Sequence, residues 1–306
     1  MIGNRKFKDL TIKNNFMFGA VMCDESNCKE LLELVLQIPI KRIEVSKEKC
    51  IVYHPEYKGV RLDVYAKDEH NTHYNVEMQT IKKKALGKRA RYYHSQIDME
   101  LLRSGEDYDM LPDSYVIFVC DFDPFGKKKY CYTFQQMCIE DSALTQQDGC
   151  KTIFLSTYGE NDSEVSEGIV KFLQFVKADL EESKQNFEDA FVKKLQKSVV
   201  DIKESREMEE RFMTIEQYIK EECEELVEEV RAIAMAEGHA QGHAQGHAEG
   251  ERMGKAESVL CLLEELGVVS NEVREKIQNE MELQTLQRWL KLAAKSENME
   301  QFLNNM

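Results

Sequence analysis

Two short runs of alternating residues, joined by a polar turn, constrain this chain more than any other feature. Val60–Ala66 and His73–Thr80 each alternate with period two, and Asp68-Glu69-His70-Asn71 supplies turn chemistry between them. The pair reads as an antiparallel hairpin. With the turn centred near Glu69 and His70, Asp63 falls opposite Val76 or Glu77, and the pleat puts Asp63, Glu77 and Gln79 on one face. Leu62, Val64, Val76 and Met78 are then expected on the other face. Like charges directly opposite destabilise a sheet unless something cationic lies between them. A divalent metal is one such cation.

Composition bounds that idea. At 306 residues the chain has room for one large domain or two, and 42% hydrophobic residues is enough for a real core. The formal charge of -15 argues against a protein that coats nucleic acid nonspecifically, but it is unevenly spread. Residues 1–130 carry 22 Lys and Arg against 20 Asp and Glu, so this part is +2 and the remainder -17. The hairpin thus lies in the only part that an anionic polymer approaches cheaply. The longest apolar runs, such as Tyr115–Cys120, are far below the roughly 20 residues that span a bilayer, so no membrane is expected. Met1–Lys13 is polar and basic without the apolar core of a secretory signal. Nine cysteines with no CxxC pair point to scattered reduced thiols and a cytoplasmic protein.

Before the hairpin, an apolar stripe from Asn15 to Leu36 predicts helix, interrupted at Asp24–Asn27 by a break and a new N-cap. Arg42–Lys47 and Lys49–His54 read as two short strands, and Pro55–Gly59 as a loop. After the hairpin, Leu86, Ala90, Tyr93, Ile97 and Leu101 recur at spacings of four and three, the buried face of a helix that runs to about Leu102. Arg89, Tyr92, Gln96 and Glu100 line a neighbouring face. Lys82, Lys83, Lys84, Lys88, Arg89 and Arg91 gather near its start, where a charge run is ordinarily a solvated face but here follows directly on Gln79. Ser114–Asp121, Tyr130–Met137 and Lys151–Ser156 read as three more strands. The picture is an α/β fold, a mixed sheet with a helix inserted after its second or third strand.

From Ser163 onward the pattern is helical. Lys203–Ala236 reads as a long amphipathic helix, with 12 acidic residues against 4 basic ones between Asp201 and Val230. Gly238, Gly242, Gly246, Gly250 and Gly254 then recur with period four, close enough to 3.6 to keep glycine near one helix face. Each costs about 1 kcal/mol relative to alanine, so the stripe signifies either close helix pairing or a weak, linker-like helix. His239, His243 and His247 share the spacing, but no physiological metal site is read from them. Ser258–Leu266, Asn271–Gln278 and Leu283–Ala294 make a small helical tail, with Gly267 as a C-cap and Trp289 as its largest apolar anchor. The expected boundaries are a sheet domain over 1–160, a helical extension over 161–236, the glycine repeat over 237–256 and the tail over 257–306. The region after Ser163 is expected to mediate self-association, giving a homo-oligomer, and to be dispensable for folding of residues 1–160.

Arg61-Leu-Asp63-Val-Tyr followed by Tyr74-Asn-Val-Glu77-Met-Gln79 resembles the signature of the recombination-promoting nuclease and transposase family, within the PD-(D/E)xK nuclease superfamily. The likeness runs from Lys13-Asn-Asn-Phe16 through Arg91-Tyr-Tyr-His-Ser95 to about Ser156, and the tail and its glycine repeat are also similar to segments of such proteins. The resemblance implies a restriction-endonuclease-like mixed sheet flanked by helices, followed by a long helical region and a small α-helical tail. It implies that Asp63 and Glu77 hold Mg²⁺ or Mn²⁺ and that Gln79 occupies the place of the superfamily lysine. Glutamine brings no positive charge, so it orients a water or the scissile phosphate, with Lys82 or Arg89 as the nearby cation. Asn15 stands where relatives often show Asp, Glu44 is a weak candidate for a further carboxylate, and His94 is read as a packing residue. The implied activity is metal-dependent hydrolysis of DNA phosphodiesters in recombination or mobile elements. Lys82, Lys83, Lys84, Lys88, Arg89, Arg91 and Gln96 would hold DNA. Two other classes stay open on the residues alone: a DNA-binding accessory protein without catalysis, and an oligomeric interaction protein on the same scaffold.

Overall fold

A computed structural model describes residues 6–51 and 59–306. The chain divides into two compact units, Met1–Glu216 and Gln217–Met306. The first opens with α1 (Asn15–Met22) and α2 (Glu25–Leu36). The Asn14 side chain accepts from the N–H groups of Phe16 and Met17, and Asp24 accepts from that of Asn27 at 3.0 Å, so each helix starts on its own cap. The break expected at Asp24 is this second cap.

Strands β1 (Ile43–Ile51), β2 (Val60–Asp68) and β3 (His73–Gln79) form an antiparallel meander. Asp68 fixes the β2–β3 turn, accepting from the His70 and Thr72 N–H groups at 2.9 Å each and from the Tyr74 hydroxyl at 2.7 Å. Helix α3 (Leu86–Leu101) then crosses to β4 (Ser114–Cys120), which is parallel to β3 as such a crossover requires. Beyond β5 (Cys131–Phe134) comes β6 (Cys150–Ser156), parallel to β4, while β5 lies antiparallel against the outer edge of β6. The sheet order is β1-β2-β3-β4-β6-β5. This six-stranded mixed sheet with flanking helices is the restriction-endonuclease-like α/β architecture.

Helices α4 (Glu167–Lys177) and α5 (Ala190–Glu204) complete the first unit, and α6 (Arg206–Leu266) follows. Val64, Val76, Met78, Val119 and Leu155 on one sheet face pack with Phe18, Leu31 and Leu32 of α1 and α2 and with Phe172, Phe175, Val192 and Leu195 of α4 and α5. The other face packs Leu62, Val116, Phe118 and Phe154 against Leu86, Ala90, Tyr93 and Ile97 of α3.

Four expectations change. The boundary expected at residue 160 falls inside this unit, because α4 and α5 cover the sheet as much as α1 and α2 do. Arg42–Lys47 and Lys49–His54 belong to one strand as far as Ile51, since β2 offers an unbroken partner from Asp68 down to Val60; residues 52–58, and with them the expected loop, lie outside the described residues. The Tyr130–Met137 strand shortens to the four residues of β5, an edge strand with Met137 reduced to a lone bridge to Thr145. Leu62 joins the α3 side of the core rather than the side of Val64.

In the second unit the carboxyl end of α6 packs Val259, Leu260 and Leu263 with α7 (Asn271–Gln278), α8 (Leu283–Ala293) and α9 (Met299–Leu303) around Ile277, Trp289 and Phe302. Gly267, at φ 152°, ends α6 where a side chain would be strained. The five repeat glycines lie within α6, and a Cβ added at any of them meets nothing within 4 Å. Within this chain nothing among the described residues packs closely on the glycine stripe. Among those residues no helix is long and apolar enough to cross a membrane.

Because α4 and α5 bury phenylalanines in the main core, residues 1–160 alone are expected to lack a cooperative thermal transition, whereas residues 1–216 show one by circular dichroism. Phe172→Ala, which empties a fully buried position, should cost about 3–5 kcal/mol in denaturant titrations.

Candidate active site

Backbone pairing of β2 with β3 ends at Val64 and Val76. One step further the register sets Asp63 opposite Glu77, and there side chains take over from the ladder. The Asp63 N–H donates to Glu77 Oε1 at 3.2 Å, and the Met78 N–H donates to Asp63 Oδ2 at 3.3 Å. Leu62 stays paired with Lys49 of β1 and packs on the α3 side of the sheet. Two carboxylates thus meet at the centre of the sheet.

Glu77 has no exposed surface. Its Oε1 also accepts from Asn75 Nδ2 at 3.2 Å, and its Oε2 from Arg89 Nη2 at 2.7 Å and the Tyr93 hydroxyl at 3.3 Å. Arg89 reaches sideways as well, with Nη1 on Gln79 Oε1 at 3.0 Å and Nε on the Tyr93 oxygen at 2.6 Å. The α3 period explains the convergence: residues 89 and 93 stand four apart, one above the other, on a helix packed over the face that carries Glu77 and Gln79. The guanidinium also lies over the Tyr93 ring, 5.0 Å from its centroid.

Electrostatics mark Glu77 out. Burial and then the Asp63 charge push its pKa up from 4.5 to about 7, against the downward pull of Arg89. Burial, helped by the Glu77 charge, pushes the Tyr93 phenol up to about 12, so it stays a donor throughout the neutral range.

The other sequence candidates divide. Lys82, Lys83, Lys84, Lys88 and Arg91 are exposed around the start of α3, with Lys82 Nζ donating to the Asp123 carbonyl at 3.0 Å. Gln96 is buried, which removes it from any DNA-facing surface: the stripe that carries Arg89 to the sheet carries Gln96 into the packed interface. Of the two cations considered for the lysine's place, Arg89 and not Lys82 bonds Glu77 and Gln79. Glu44 pairs with Arg42 at 3.0 Å and Lys67 at 3.5 Å beside a polar cleft of about 330 Å³ at the turn end of the hairpin, away from Asp63. Asn15 is exposed at the start of α1. His94 is a core residue, bonded to the Ser114 and Thr152 hydroxyls at 2.8 and 3.1 Å, and burial holds its pKa down near 4. Asp121, just past β4, is engaged by the Thr157 hydroxyl at 3.0 Å and by Lys13 at 3.6 Å.

Sequence reasoning missed two contributors. Tyr93 counted only as an apolar position, although its spacing of four from Arg89 was visible. Asn75 went unassigned, although it precedes Glu77 by two on the same strand face; its buried Oδ1 has no hydrogen-bond partner among the described residues.

Residues 12–231, more than two thirds of the chain, match the family described as PD-(D/E)XK nuclease family transposase. The chain belongs to that family. No curated protein matches it, and no solved structure does. Nucleases of the PD-(D/E)XK family typically use divalent metals, and the residues here fit such an ion. Asp63 and Glu77 present hard oxygen donors, and their mutual repulsion in a buried setting is what a cation relieves. Among the described residues no group of three or more His, Cys, Asp or Glu side chains forms a fuller cage, so water and substrate oxygens would complete the shell, as suits Mg²⁺.

The raised pKa of Glu77 has a stability consequence. The folded chain binds this proton more tightly than the unfolded one, so stability from this group is full below about 4.5 and is lost as pH rises toward about 7. Glu77→Gln removes the dependence. In thermal melts with EDTA the variant should unfold at a higher temperature than the parent above pH 7, the gap closing toward pH 4.5 at no more than about 1.4 kcal/mol per pH unit. A gap that does not change with pH would contradict the assignment.

Proposed function

We propose that this protein is a metal-dependent endonuclease that hydrolyses DNA phosphodiesters, using Mg²⁺ or Mn²⁺ held by Asp63 and Glu77, in a recombination or mobile-element setting. The observation that carries the reading is the meeting of Asp63 and Glu77 where the β2–β3 ladder opens, with Gln79 and Arg89 alongside. A bound divalent ion neutralises charge on the phosphate and activates water.

The chain's own residues do the rest. Asp63 and Glu77 hold the ion, the first anchored through the Met78 N–H and the second through the Asp63 N–H and Asn75. Gln79 keeps the strand position of the superfamily lysine but only orients, through an amide whose nitrogen donates to the Met78 carbonyl at 2.8 Å and whose oxygen meets Arg89. Arg89 brings the positive charge from α3, with a planar fork that a lysine lacks. Lys82, Lys83, Lys84, Lys88 and Arg91 track the DNA backbone. The start of α3 has no side-chain cap and no acid in its first turn, which favours an anion there. Self-association belongs on α6, where Ile219, Leu226, Val230 and Ile233 are exposed.

The alternative is a relative that binds DNA without cutting it. Its support is the replacement of lysine by Gln79 together with the Arg89 contact that occupies Glu77.

Supercoiled plasmid distinguishes the two. The protein should nick it with Mg²⁺ or Mn²⁺ and stop on addition of EDTA, and Asp63→Ala should fall to background. Gln79→Ala should lose about 10- to 100-fold while binding the metal nearly as well as the parent. Equal cleavage by Asp63→Ala would sink the nuclease reading, and salt-sensitive DNA binding with no cleavage would select the alternative.

A further inference from the structure

The donor set around Glu77 is full. A carboxylate offers about four acceptor positions, and this one receives four hydrogen bonds. The two on Oε1 come from the sheet itself, from the Asp63 N–H and from Asn75 on the same strand. The two on Oε2 come from side chains of α3, Arg89 and Tyr93. A cation reaching Glu77 therefore has to take the Oε2 side, where the guanidinium already is. A divalent ion and a guanidinium repel each other, so they cannot comfortably share one oxygen. Tyr93 is buried in the core with its ring stacked on Phe118, whereas the Arg89 side chain keeps 31% of its surface exposed and ends in a long flexible stem. Of the two, Arg89 is the group that can move.

Resting on the endonuclease reading, we propose that Arg89 is a resident counterion of Glu77 that the metal displaces and that a DNA phosphate then receives. Without a divalent ion, Asp63 and Glu77 carry up to two negative charges against the one positive charge of Arg89. A divalent ion balances the carboxylates and leaves the guanidinium in need of an anion, which the phosphodiester supplies bidentately. Metal and DNA thus bind with positive coupling, and by linkage each strengthens the other to the same degree. Free protein holds its metal weakly, with Arg89 offsetting part of the carboxylate charge until substrate is present.

The test is the Mn²⁺ affinity of the full chain by isothermal titration, with and without a short duplex whose phosphorothioate linkages resist hydrolysis. Arg89→Gln should bind Mn²⁺ about tenfold more tightly than the parent in the absence of DNA. The duplex should strengthen binding by a similar factor in the parent and hardly at all in the variant. Arg89→Lys, which keeps the charge but not the fork, should lie between them. Should Arg89→Gln fail to fold, Tyr93→Phe removes the hydroxyl that holds Arg89 and should shift the affinity in the same direction by less. General damage to the site would weaken metal binding, so a gain is not a merely structural outcome. Mn²⁺ affinity unchanged or weaker in Arg89→Gln, with binding still abolished by Asp63→Asn, overturns the counterion role and leaves the metal site standing. No Mn²⁺ binding by any of these proteins overturns both.

Discussion

A carboxylate with no access to water has to be neutralised, paired or bonded on every side, and Glu77 depends on all three. The fold around it can be read as the means of doing so. The ladder between β2 and β3 stops one residue short, freeing the Asp63 N–H for the Glu77 side chain. The parallel step from β3 to β4 obliges a crossover, and the crossover helix brings Arg89 and Tyr93 over the face to which Glu77 points. Replacing Glu77 with an apolar residue would leave Arg89 without its partner and Asn75 without an acceptor, so the cluster stands or falls as one unit.

The same cluster sets a cation from α3 beside two strand residues of β3. The Arg89 guanidinium donates to Gln79 Oε1 at 3.0 Å and to Glu77 Oε2 at 2.7 Å. Glu77, Gln79, Arg89 and Tyr93 lie within one hydrogen-bond network. Arginine suits the task because its fork spans Glu77 and Gln79 together, which a single ammonium group does less well.

Much of this was legible in the sequence, for definite physical reasons. The period of two in Val60–Ala66 and His73–Thr80, and the turn chemistry of Asp68, give the hairpin and so the facing of Asp63 and Glu77. Asp24 announced the second helix because a cap is a local interaction. What was hidden depends on partners distant in the chain. The stripe of α4 was plain, but periodicity does not say which surface covers it, and here the sheet does. Gln96 shares a helix face with Arg89, yet only packing shows that the face turns inward there. The glycines at 238–254 argue against helix by propensity alone, and α6 runs through them unbroken. Tyr93 illustrates the remaining difficulty: its ring belongs to the core and its hydroxyl to the site.

The central claim is that Asp63 and Glu77 form a cation site which Arg89 occupies in the cation's absence. Anomalous scattering from crystals soaked in Mn²⁺ tests it most directly. The account predicts one peak within bonding distance of oxygens from both carboxylates, with the Arg89 guanidinium withdrawn from Glu77 Oε2. A map with no peak there at saturating Mn²⁺ and Arg89 still bonded to Glu77 would contradict it.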